Sequence, residues 1–119
     1  MAEIELKART KRFALRVIRM FTELPQTELA RVLGKQLLRS GTSVGANYRE
    51  GCRARSDAEF ISKLETALQE LEESSYWMEL LMEGGVFPAD RLTPLLGEAN
   101  ELIAILTASV RTVKQRQGH

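Results

Sequence analysis

Seven cations at helical spacing carry the most legible chemistry in this chain. Arg9, Arg12, Arg16 and Arg19 recur every three or four residues, which stacks four guanidinium groups along one face of a helix. Arg31, Lys35 and Arg39 repeat the spacing further on. A row of cations tracks a phosphate backbone and gains from the release of its counterions, so these seven are the candidate contacts to RNA or DNA. The competing reading is that they are solvated, or paired with carboxylates of the acidic stretch after residue 56. No aromatic residues interleave with them as base-stacking platforms, so any binding should be indifferent to base sequence.

The carboxylates raise a second chemistry. Glu70, Glu72 and Glu73, followed by Glu98 and Glu101, place Glu-x-x-Glu pairs on successive helices, a pattern like the magnesium sites of all-α nucleotide pyrophosphatases. Helical phase puts Glu73 away from the apolar Leu68 and Leu71, however, and the second pair lacks the expected aspartate. A ferritin-like di-metal site needs Glu-x-x-His on two helices, and the only histidine is His119. Cys52 is the only cysteine, so it has no disulfide partner within the chain and no histidine base to activate it. The expectation is no catalytic centre, no metal and no cofactor. Tyr76 and Trp77 read as core or interface anchors.

These residues need a frame to hold them. At 119 residues and 44% hydrophobic content, the chain suits one domain spanning 1–119 with a real core. Its net charge of +1 hides a polarity: residues 1–55 carry 12 Lys and Arg against 5 Asp and Glu, whereas residues 56–106 carry 2 against 11. The halves can therefore attract each other within or between subunits. The N-terminus lacks the basic and apolar runs of a signal peptide, and no stretch approaches a membrane span. A cytoplasmic protein with no membrane partner is expected.

Apolar spacing predicts four helices. The first, over about 3–22, carries Leu6, Phe13, Val17, Ile18, Phe21 and Leu24 near the 3.6-residue period, and Leu24-Pro25-Gln26-Thr27 makes a corner. The second, over 28–54, has Leu29, Val32, Leu33, Leu37, Val44, Tyr48 and Cys52. Ser56-Asp57-Ala58-Glu59 is a capping box that opens the third, whose stripe runs from Phe60 to Met82 and stops at Gly84-Gly85. The fourth starts between Pro88 and Pro94 and ends near Gln115, with Leu92, Leu95, Leu96, Ala99, Leu102, Ile103, Leu106, Val110 and Val113 in phase. Connections this short favour an all-α, antiparallel up-down-up-down four-helix bundle.

The segment around Ser40-Gly41-Thr42-Ser43-Val44-Gly45-Ala46-Asn47 is the least ordinary part of that frame. Each glycine costs a helix about 1 kcal/mol against alanine. Ser40, Gly41, Ser43 and Gly45 read either as a loop or as a slim helix face that lets another backbone approach. Asn47 and Glu50, three apart, need partners if buried and only water if exposed. This segment, with Glu50-Gly51, Ser56-x-x-x-Phe60-Ile61-x-Lys63-Leu64-x-x-Ala67-Leu68-x-Glu70 and Glu73-Ser74-x-Tyr76-Trp77, resembles the four-helix-bundle family encoded in intervening sequences of bacterial 23S ribosomal RNA genes. The likeness extends to Phe13-Ala14, Leu24-Pro25, Gln36-Leu37-Leu38-Arg39-Ser40 and Leu102-Ile103-x-x-Leu106, and so covers nearly the whole chain. It implies a second helix continuous through the glycines and assembly as a ring-like homopentamer. A related branch, the accessory proteins of diversity-generating retroelements, implies nucleic acid and a reverse transcriptase as partners. Those accessories are strongly basic, unlike this chain, which also has Gln69 where a lysine commonly precedes the glutamate.

Overall fold

The computed structural model describes residues 2–118 and contains, among them, four helices and no strand: α1 (Ala2–Thr22), α2 (Glu28–Cys52), α3 (Asp57–Glu83) and α4 (Ala89–Gln117). His119 lies outside the described residues. Each helix packs on the next, and α1 also meets α4, in a body of 52 × 22 × 20 Å. No helix in it is long and apolar enough to cross a membrane.

Local chemistry fixes the helix ends. Thr27 caps α2 by accepting from Ala30 N–H at 3.2 Å, and Ser56 caps α3 by accepting from Glu59 N–H at 3.1 Å, the serine half of the capping box. The chain leaves α3 through Gly84 and then Gly85, whose φ of +70° is natural only for glycine. The fourth helix begins at the early end of the expected window, with Pro88 as its cap residue and Pro94 inside it.

The core is knitted by a 3.5-residue repeat. Leu6, Thr10, Phe13, Val17 and Met20 alternate steps of four and three along α1, a spacing that buried Leu24 continues just past its end, and Ala30, Gly34, Leu37, Gly41, Val44, Tyr48 and Gly51 do the same along α2. In α3 the buried run is Leu64, Ala67, Leu71, Ser74, Met78 and Leu81. This is the spacing that lets side chains of one helix seat between those of its neighbour.

The second helix is one rod through its glycines, and it is rotated from the expected phase. Leu29 and Val32 of α2 and Ile18 of α1 face out, and Leu33 and Cys52 are only partly buried. The buried seam runs instead through small residues that hydrophobicity does not reveal. A Cβ placed on Gly41 would lie 2.8 Å from Val17 Cγ2, and one on Gly45 would lie 3.1 Å from Thr10 Oγ1. Gly34 is roofed in the same way by Phe21 and Leu24. Missing side chains on α2 are thus filled by whole ones from α1.

Buried polar groups in the seam are satisfied. Thr10 hydroxyl donates to Leu6 carbonyl at 2.8 Å, and Ser40 and Ser74 hydroxyls meet at 2.9 Å between α2 and α3. Trp77 Nε1 is the exception, buried without an acceptor, while its ring packs edge-on against Tyr76 with centroids 5.2 Å apart.

Gly41 and Gly97 should therefore respond oppositely to alanine. Val17 is fully buried and stiff at χ1, so Gly41→Ala should cost about 1–2 kcal/mol net of its helix-propensity gain, and less in a Val17→Ala background. Nothing lies within 4 Å of a Cβ on Gly97, so Gly97→Ala should stabilise by up to about 1 kcal/mol. Urea unfolding followed by circular dichroism measures both.

Candidate nucleic-acid interface

The seven predicted cations divide into paired and unpaired groups. Arg9 reaches across to α4, where Nε and Nη2 donate to the two carboxylate oxygens of Glu98 at 3.0 and 2.7 Å and Nη2 also reaches Glu101 at 3.3 Å. The bond to Glu98 raises the guanidinium pKa beyond its already high value, against the opposing effect of partial burial. Arg39 does the equivalent on α3, donating to Glu73 at 2.7 Å and more distantly to Glu70 at 3.4 Å. Both arginines are tied to the scaffold.

Each Glu-x-x-Glu pair is thereby occupied by an arginine. Glu70 and Glu73 turn toward α2 and Glu98 and Glu101 toward α1, so the carboxylates expected of a magnesium site do not converge. No group of three or more metal-ligating side chains forms among the described residues. Burial pushes the Cys52 thiol pKa up, which disfavours the reactive thiolate, and buried Tyr48 beside it is likewise raised, chiefly by desolvation.

Arg12, Arg16, Arg19, Arg31 and Lys35 remain. All five are exposed, and among the described residues none has a carboxylate within 4 Å. They do not form a single row. Arg9 points to α4 whereas Thr10, Val17 and Phe21 meet α2, so helical phase sets Arg12, Arg16 and Arg19 on the α4 side of α1. Arg16 and Arg19 line a crevice there with Met20, Glu23, Phe87 and Arg91. Arg91 pairs with Glu23 and stacks over the Phe87 ring at 5.1 Å.

On the other side of α1 runs a shallow groove between α1 and α2. Its lining is Thr10, Lys11, Ala14, Thr42, Gly45, Ala46 and Arg49, enclosing about 240 Å³. Lys11 and Arg49 flank it, and neither belongs to the predicted stripes. The sequence signal for them was indirect: small residues at 14, 45 and 46 sink the groove floor and leave the two cations standing at its edges.

The glycine-serine segment splits between three surroundings. Gly41 and Gly45 face α1, Ser40 faces α3, and Ser43 and Ala46 lie toward the outside, with the Ser43 hydroxyl donating to Arg39 carbonyl at 2.7 Å. Asn47 donates to Ser43 carbonyl at 3.0 Å within its own helix. Glu50 is not a buried carboxylate but an exposed one, held 2.7 Å from Lys63 Nζ of α3.

A profile of the 23S rRNA-intervening sequence protein family matches residues 2–108. The chain belongs to that family. Among solved structures, a protein with unknown function from the S23 ribosomal protein family of Bacteroides thetaiotaomicron VPI-5482 is 36% identical. The match covers 87% of this chain and 96% of that one, with a TM-score of 0.82, so family and fold agree. No curated protein matches the chain.

The Glu50–Lys63 pair has a definite pH signature. The hydrogen bond from Lys63, and then its charge, lower the Glu50 pKa from 4.5, so this contribution to stability is present above 4.5 and lost as pH falls through the depressed value. Lys63 is raised from 10.5, first by its bond to Glu50, so its share is present below 10.5 and lost above the raised value. Glu50→Gln should thus lower the urea midpoint slightly at neutral pH and leave it unchanged in strong acid.

Proposed function

We propose that this chain is a non-catalytic subunit of a ring-like homo-oligomer that holds RNA or DNA through backbone phosphates. The observation that carries the reading is the set of five exposed cations, Arg12, Arg16, Arg19, Arg31 and Lys35, without carboxylate partners among the described residues while Arg9 and Arg39 are neutralised. Like charges three and four residues apart repel along a helix, and a polyanion laid across them offsets that cost. With no aromatic platform among them, they suit phosphate rather than base recognition.

The subunit in this reading is an antiparallel up-down-up-down bundle. Its support is the sense of the cross-helix contacts: Arg39 meets Glu73 where Glu50 meets Lys63, and Val17 lies on Gly41 where Thr10 lies on Gly45. The number of copies, five, rests on the family resemblance. A second reading, an assembly module without nucleic acid, is favoured by how many charges already serve helix pairing, among them Arg9, Arg39, Lys63 and Lys114.

A gel-shift titration across salt concentrations separates the two. Binding of mixed RNA and DNA by micromolar protein at about 50 mM salt is expected, weakening as salt rises. The variant Arg16→Gln, Arg31→Gln, Lys35→Gln should flatten the slope of log affinity against log salt by about 2–3, nearly one for each phosphate no longer neutralised. Absence of any shift for the unmodified protein at low salt would leave the assembly-module reading.

A further inference from the structure

Two outward ridges of this molecule look made for each other. On α1, Lys11, Leu15, Ile18 and Thr22 follow one another at steps of four, three and four; on α3, Glu72, Tyr76, Glu79 and Glu83 repeat the same steps. Both ridges expose large apolar side chains, with Leu15 50%, Ile18 41% and Tyr76 54% accessible. Around Leu15 and Ile18 stand Lys11, Arg12 and Arg19; around Tyr76 stand Glu72, Glu79 and Glu83. Among the described residues none of these six charges has an ion-pair partner.

The ridges also match in height. Val17 packs on Gly41, and Ser40 of the same turn meets Ser74, so Ile18 and Tyr76 lie level along the bundle. We propose that the acidic ridge of α3 in one copy of this chain docks on the basic ridge of α1 in the next, with Tyr76 seated between Leu15 and Ile18. This rests on the assembly reading above and names its contact surface. Charge complementarity selects the occupant: a single-sign acidic ridge and a single-sign basic one, both without partners of their own, occur on opposite sides of the same molecule. Trp77 holds the Tyr76 ring edge-on, so the anchor is ordered before docking and loses little freedom on it. Because the two surfaces differ, the contact runs head to tail and repeats from copy to copy, as a ring requires. It engages Lys11, Arg12 and Arg19, so within the assembly the five unpaired cations named above narrow to Arg16, Arg31 and Lys35 as the ones that meet phosphate.

Charge reversal tests the pairing in the full chain. Glu72→Lys with Glu79→Lys makes both ridges basic, and Lys11→Glu with Arg19→Glu makes both acidic; all four residues are exposed, so circular dichroism should show folded helices. Each variant alone should associate at least about 100-fold more weakly than the unmodified protein in light scattering. Mixed, they should associate again in alternation, because the reversed ridge of each meets the reversed ridge of the other; a ring of five cannot alternate throughout, so the mixture should regain association without regaining the size of the unmodified assembly. Two outcomes overturn the pairing: variants that assemble as the unmodified protein does, which leaves the ring reading standing with another contact, or a mixture that stays dissociated. An unmodified protein that is monomeric would overturn pairing and ring together, giving the ridges to solvent or to a different protein.

Discussion

The close approach of α1 to α2 at Gly41 and Gly45 is the constraint on which the rest of this fold hangs. With no side chain at either position, Val17 and Thr10 rest almost on the α2 backbone, and the two rods come nearer than ordinary core residues allow. That approach sets the rotation of both helices at once. On α1 it turns Arg12, Arg16 and Arg19 outward and toward α4; on α2 it turns Leu37 and Val44 inward and Leu29 and Val32 out. The helix gives up propensity at two positions and recovers it as shape: dispersion attraction in a close-packed seam replaces what two alanines would have contributed.

Electrostatics then stitches the rods edge to edge. Arg9 joins α1 to α4, Arg39 and Glu50 join α2 to α3, and Lys114 joins α4 to α3 through Glu65 at 3.1 Å. These pairs are partly or wholly exposed, so each contributes little to stability. Their effect is on alignment. A slip of one turn between α2 and α3 would part Arg39 from Glu73 and Lys63 from Glu50 together, which disfavours the misaligned packing without deepening the native one.

Most of the architecture is legible in the amino-acid sequence. The capping serine at 56, the Pro25 corner and the Gly84-Gly85 stop bound the helices within a residue or two of where they lie, because they act through local backbone chemistry. The face of α2 is harder to read. A stripe drawn through its large apolar residues includes Leu29 and Val32, both of which are exposed, since Gly34 and Ala30 occupy the seam and α1 supplies the bulk. The cationic site is legible in kind but not in arrangement. Spacing alone groups Arg9 with Arg12, Arg16 and Arg19; only the third dimension shows that Glu98 removes the first of them, and that Lys11 and Arg49 flank a groove instead.

Trp77 is the only tryptophan of the chain, and it sits at the flank of α3 with its indole N–H shielded from water and a tyrosine against its edge. An indole in dry surroundings emits at shorter wavelength than a hydrated one, and a neighbouring phenol hands it excitation energy. The molecule therefore carries its own optical gauge, placed beside Tyr76 where a docking subunit would change the local polarity. Fluorescence from the single native indole can follow solvent entry at that edge without any label attached.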